Sequence, residues 1–155
     1  MLLGFKTTHK GQQTDFVRKI LAGFPPYLIG QPVNTVTPKI HTVRTDVGNR
    51  WRAGRQIQFA TGVRTRHLTI FAGSPCTATQ LIEFRAGITS GQLLLAIEDM
   101  NHNRFRVLMP DEQEVFARND GFADWAALEA WFYPAVVAAG GRMSGKLIHW
   151  TEYRY

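Results

Sequence analysis

The chain has 155 residues, 45% of them apolar and only 19% charged, enough to bury the core of one domain spanning 1–155 and too apolar for long disordered or coiled-coil segments. Its formal net charge is +6, a balance that favours anionic partners. A single cysteine, Cys76, excludes an intrachain disulfide and points to a reducing, cytoplasmic setting; no apolar run approaches the roughly 20 residues of a membrane span, and the opening "MLLGF" is too short for a signal-peptide apolar region.

In chain order, Leu2 to Lys6 reads as a short first strand. A helix follows from about Thr14, which can cap it, to Ala22, with Phe16, Val17, Ile20 and Leu21 as its apolar stripe and Gly23 and Pro25 as its stop. Prolines 25, 26, 32 and 38 mark a long irregular connection. From Ile40 to Arg44 the pattern alternates as a strand, and Gln56 to Phe59 alternates again after a turn at Ala53 and Gly54. Further strands are predicted over 68–72, 79–86, 92–98 and 104–109. "DEQEVFARNDGF" gives a helix ending at Gly121. Asp124 caps a second helix that Pro134 closes, and "GKLIHWTEYRY" reads as a closing strand with Leu147, His149, Thr151 and Tyr153 on one face. Six or seven short strands with helices near both ends, and no regular strand-helix alternation, predict an α+β fold with its sheet closed into a small barrel.

The charge is not evenly spread. Residues 38–66, "PKIHTVRTDVGNRWRAGRQIQFATGVRTR", hold Lys39, Arg44, Arg50, Arg52, Arg55, Arg64 and Arg66 against the one acid Asp46, so this stretch alone accounts for the whole +6. A concentrated cationic stretch attracts phosphates. Trp51, between Arg50 and Arg52 and without apolar periodicity around it, is the aromatic candidate for stacking on a base, whereas Trp125, Trp131 and Phe132 fit a packed helix. The five histidines, at 9, 41, 67, 102 and 149, show no metal-ligand spacing, and no phosphate loop, dinucleotide fingerprint or nucleophile elbow is present; neither a metal nor a cofactor is implied.

Three pieces, "PKIHTVR", "WRAGRQI" and "ARNDGFADWAALEAWF", together with the closing "GKLIHWTEYRY", resemble the ASCH domain, a branch of the PUA-like β-barrel superfamily. The resemblance implies a small barrel of about six strands with flanking helices, and a cleft beside the first basic strand that takes RNA or a modified nucleoside. Some small bacterial relatives hydrolyse the amide of N4-acetylcytidine with a Lys-x-x-Thr-x-Arg motif and an acid ahead of a helix. Lys39, Thr42 and Arg44 match that motif in full, and the acid falls on Asp120, where the hydrolase pattern has Glu.

In such a hydrolase Thr42 would be the nucleophile, Lys39 the base that takes its proton, Asp120 the proton relay or the group that orients Lys39, and Arg44 the holder of a substrate oxygen or phosphate. In a straight strand residues three apart face opposite ways, so Lys39 and Thr42 converge only if Lys39 precedes the strand, as Pro38 suggests. The expected function is binding of RNA or a modified nucleoside. The alternatives are N4-acylcytidine amidohydrolysis, a ribonuclease using Lys39, Arg44 and His41, or a basic face for an acidic protein partner. DNA is an open partner, a membrane is not, and the oligomeric state is left open.

Overall fold

In the computed structural model the described residues are 1–25, 36–87, 91–102 and 104–155, so most of the proline-marked connection at 26–35 lies outside them. They form, in chain order, β1 (Leu2–Gly4), β2 (Thr8–His9), β3 (Gln12–Gln13), α1 (Phe16–Ala22), β4 (His41–Arg44), β5 (Gln56–Thr61) and β6 (Thr69–Pro75). Then come β7 (Ala78–Ala86), β8 (Leu93–Asp99), β9 (Arg104–Val107), α2 (Pro110–Asn119), α3 (Trp125–Ala138) and β10 (Arg142–His149). The fold is α+β.

Two sheets carry it. The larger has the order β4-β10-β7-β8-β9 and is antiparallel throughout. The smaller has β5 at its centre, parallel to β1 and antiparallel to β6, with a register shift between Phe59 and Ala60. β2 and β3 form a separate hairpin whose turn residues Lys10 and Gly11 both have positive φ, as a tight two-residue turn requires.

Each sheet buries one face on its own core. Val43, Phe84, Leu95, Ile97 and Leu147 of the larger sheet pack with Phe116 and Ala117 of α2 and with Leu128 and Val136 of α3. Leu3, Ile57 and Phe59 of the smaller sheet pack with Phe16 and Ile20 of α1, and with Trp51, Ile148 and Trp150. Phe122, between α2 and α3, touches both clusters and joins them.

The expected closed barrel is not formed among the described residues: no backbone ladder links the two sheets. A side chain meets the edge of β1 instead. The Gly4 carbonyl accepts a hydrogen bond from Arg44 Nη2 at 2.6 Å, which satisfies a group that a neighbouring strand would otherwise pair.

Three local expectations change as well. Asp15, not Thr14, is the N-cap of α1, and the Thr14 hydroxyl donates to the Lys6 carbonyl. Pro134 lies inside α3 and does not close it; the helix runs on to Ala138 because Val136, two turns on from the buried Leu128, is itself fully buried. The last strand starts at Arg142 and ends at His149, so Thr151 and Tyr153 share no strand face with Leu147. Beyond Trp150 the chain folds back, and Tyr155 exchanges hydrogen bonds with the side chain of Gln80.

Candidate functional site

The approach to β4 is fixed by two helix ends. Lys39 N donates to the Lys19 carbonyl in the last turn of α1, and Ile40 N donates to Asn119 at the end of α2, each at 2.9 Å. These bonds hold Lys39 outside the strand, which begins at His41. Lys39 therefore escapes the alternation of β4, and its side chain reaches the same cavity as Thr42 and Arg44.

That cavity, of about 210 Å³, is lined by Lys39, Thr42, Arg44 and Asp120, with walls from Phe5, Phe16, Phe122, Trp131 and Phe132. The four polar residues come from the approach to β4, from β4 itself and from the C-cap of α2. Sequence reasoning named all four. It missed the walls, because Phe5, Phe16 and Phe122 converge from distant parts of the chain without a shared periodicity, and Trp131 and Phe132 carry a pattern that a plain core helix would also show.

Lys39 is almost fully buried, 1% exposed, and forms an ion pair of 2.6 Å with Asp120 Oδ1 while also donating to the Asp120 carbonyl. An ammonium group at the C-terminal end of a helix gains from the exposed carbonyls there. Its pKa is lowered to about 8, because burial penalises the ammonium more than Asp120 stabilises it. For Asp120 burial works upward, but Lys39 and His41 outweigh it and hold the carboxyl below its ordinary value. The second carboxylate oxygen of Asp120 accepts no hydrogen bond from a described residue.

Thr42 is 2% exposed and its hydroxyl accepts a 3.0 Å hydrogen bond from Arg44 Nη1. Arg44 also donates to the Val43 carbonyl and stacks 5.1 Å from the Phe5 ring centroid. No hydrogen bond joins Lys39 Nζ to the Thr42 hydroxyl; the lysine protons go to Asp120.

Behind the carboxylate lies a buried polar cluster. His41 Nδ1 is 3.6 Å from Asp120 Oδ1, too far for a hydrogen bond, and His41 Nε2 is 2.7 Å from the Tyr155 hydroxyl, which also accepts from Asn119 Nδ2 at 2.9 Å. Burial pushes His41 down and Tyr155 up in pKa, so both are neutral at pH 7. His149 lies against them, buried, with neither ring nitrogen partnered among the described residues. Neither His149 nor Tyr153 lines the cavity: His149 is fully buried and Tyr153 is exposed.

The other cationic residues separate into groups. Arg64 and Lys6 border a second groove that shares Gly4, Phe5 and Lys6 with the cavity. Arg50, Arg52, Arg55 and Arg66 are exposed and line neither the cavity nor this groove. Trp51 is not an exposed stacking ring. It is 4% exposed in the smaller core, because Asp46 accepts from both Arg50 N and Trp51 N and folds the loop inward, while Lys146 binds the Trp51 carbonyl.

Among the described residues no three of His, Cys, Asp or Glu converge as a metal-ligand set, and no helix is long and apolar enough to cross a membrane. No family model, curated protein or solved structure matches the chain.

Proposed function

We propose that the cavity binds a nucleobase bearing an amino group, cytosine or a modified cytosine, as a nucleoside or as part of RNA. The observation that carries this reading is the meeting of a free carboxylate oxygen on Asp120 with the donors of Lys39 and Arg44 inside aromatic walls. A carboxylate accepts from the cytosine amino group, and neighbouring N–H donors match the ring nitrogen and carbonyl on the same edge. Phe5, Phe16 and Trp131 supply apolar and π surface for the ring faces. At about 210 Å³ the cavity is smaller than the pockets of about 300–1,000 Å³ that hold drug-sized ligands, which suits one base better than a whole nucleotide.

The same features are what support an ASCH, PUA-like assignment for the fold: Lys39, Thr42 and Arg44 of the motif and the acid Asp120 border one hollow. A cytoplasmic setting accords with the lone, buried Cys76. Titration calorimetry with cytidine and uridine tests the reading. Cytidine should bind about tenfold more tightly than uridine, and Asp120→Asn, which keeps the shape but turns one acceptor into a donor, should erase the preference. Equal binding of the two nucleosides, or none, removes the proposal.

A second reading, hydrolysis of an N4-acyl amide, is favoured by one observation: Lys39, with its pKa lowered to about 8, shares the cavity with the Thr42 hydroxyl. For that chemistry Lys39 must first give up its own proton and leave Asp120; it then takes the hydroxyl proton as the threonine oxygen attacks the acyl carbon, passes that proton to the departing cytidine amine, and water hydrolyses the resulting acyl-threonine ester to the free acid. Release of cytidine from N4-acetylcytidine by the native protein, and its absence with Thr42→Ala, is the deciding chromatogram. For a ribonuclease the expected participant His41 is fully buried behind Asp120 and does not line the cavity.

A further inference from the structure

We infer that the groove beside the cavity is a phosphoryl-binding subsite, so that the ligand is a nucleotide or a strand of nucleotides and not a free nucleoside. The inference rests on the cavity taking a base.

The groove, of about 500 Å³, is lined by Gly4, Phe5, Lys6, Thr7, Thr8, Gly62, Val63 and Arg64, and no acid is among them. Because Gly4, Phe5 and Lys6 also line the cavity, a group attached to a bound base passes directly into it. Lys6 stands at the junction: its ammonium lies 5.6 Å from the ring centroid of Trp131, a wall of the cavity. Arg64 also lines the groove, and its guanidinium makes no hydrogen bond or ion pair with any described residue.

Arg64 is held there by an unusual backbone. Its φ is +69°, a left-handed conformation that a long L side chain seldom adopts. The loop that imposes it is closed tightly: Thr65 donates to the Gly62 carbonyl through both its amide and its hydroxyl, and His67 N returns to the Thr65 hydroxyl. Gly62 is required at the start, since its φ is +62° and a Cβ there would meet the His67 carbonyl oxygen at 2.4 Å. A strained residue fixed by a rigid turn, carrying an unpaired cation over an acid-free groove, is built to present that cation. Arg64 offers a planar fork and Lys6 a mobile point charge, a pairing that suits the oxygens of a phosphate. Arg66 of the same loop is instead turned onto His67, which leaves Arg64 as the loop's one cation in the groove among the described residues.

The test compares cytidine, cytidine 5′-monophosphate and inorganic phosphate by titration calorimetry on the native chain, on Arg64→Asn and on Arg52→Gln. Asparagine tolerates positive φ, so the first variant removes the guanidinium without forcing the loop open. Arg52→Gln removes an equal charge from the same cationic stretch outside the groove. The monophosphate should bind about tenfold more tightly than cytidine, Arg64→Asn should abolish that advantage without changing cytidine affinity, and Arg52→Gln should preserve it. If cytidine binds and the phosphate adds nothing, or adds as much in Arg64→Asn, the subsite is wrong while the base cavity stands. If inorganic phosphate competes with the monophosphate and cytidine fails to bind, the anion subsite stands and the base cavity falls. If none of the three binds, both fall.

Discussion

Gly121 shows how closely the buried ion pair is fitted to the backbone around it. Its φ is +90°, and a Cβ at that position would lie 3.0 Å from Lys39 Cδ and 3.1 Å from a ring carbon of Phe16. Gly121→Ala therefore combines left-handed strain with an overpacked contact and should destabilise the protein by at least about 2 kcal/mol in urea denaturation. The Lys39–Asp120 pair itself makes a sharper claim. Removing one partner leaves the other charge buried, so Asp120→Asn should cost about 3 kcal/mol at pH 7, and Lys39→Met a similar amount. The double replacement Lys39→Met, Asp120→Leu leaves no orphaned charge and should cost less than either single change. Additive losses in that cycle would show that the two groups do not depend on each other.

The elements that the sequence pattern made legible are those whose local signals and tertiary surroundings agree. Helix α2, with Asp111 and Glu112 in its first turn and Asp120 and Gly121 at its end, the alternating strands β4 and β5, and the strand β8 expected over 92–98 fall close to where their patterns place them. The pattern failed where packing overrides propensity. Pro134 is a local stop signal, yet α3 continues through it, since ending there would expose Val136 and open the core that Leu128 and Phe132 share with the large sheet. In the last strand alternation continues past His149, but the Thr77 amide caps the His149 carbonyl and the chain turns away. The proline inside α3 thus carries a local cost that packing offsets. Pro134→Ala should restore the missing backbone hydrogen bond and raise stability by about 1–2 kcal/mol, the gain being reduced by the greater freedom of the unfolded chain. A loss of stability would mean instead that the backbone geometry imposed by the proline is needed to seat Trp131 and Phe132 against the cavity.

Across the whole molecule, the motif Lys39, Thr42 and Arg44 with Asp120 was readable as a set, whereas the cationic stretch was readable only as a total. Its charges disperse to a buried pair, a strut between two sheets, a groove and open surface, because side-chain direction in loops depends on contacts that no local spacing encodes. The buried histidines were likewise invisible as a pair, since His41 and His149 meet only through the β4–β10 register, their rings 5.6 Å apart. They should govern the acid limit of the fold. Burial, with smaller contributions from His41 and Arg154, lowers the His149 pKa from 6.5 to about 3, and burial lowers His41 also. An unfolded imidazole takes up a proton near 6.5 while the folded one does not, so below that pH the unfolded state binds more protons and stability falls as pH falls. For His149 the window runs from 6.5 down to about 3; Asp120, held below 3.8, adds its loss only at the lower end. Lys39 acts at the opposite limit: it is protonated in the unfolded chain up to 10.5 but folded only to about 8, so its contribution to stability rises between those values. Neither ring nitrogen of His149 has a partner among the described residues, so His149→Phe forfeits no hydrogen bond there and should change stability at pH 7 by less than about 1 kcal/mol. Below pH 6 the same variant should lose stability less steeply than the native chain, by up to about 1.4 kcal/mol per pH unit, the slope of one proton. Urea midpoints measured from pH 7 to pH 4 give both numbers. Parallel acid limbs for the two proteins would mean that the folded interior admits a proton on His149 as readily as water does, and that the cluster behind Asp120 is not the weak point in acid.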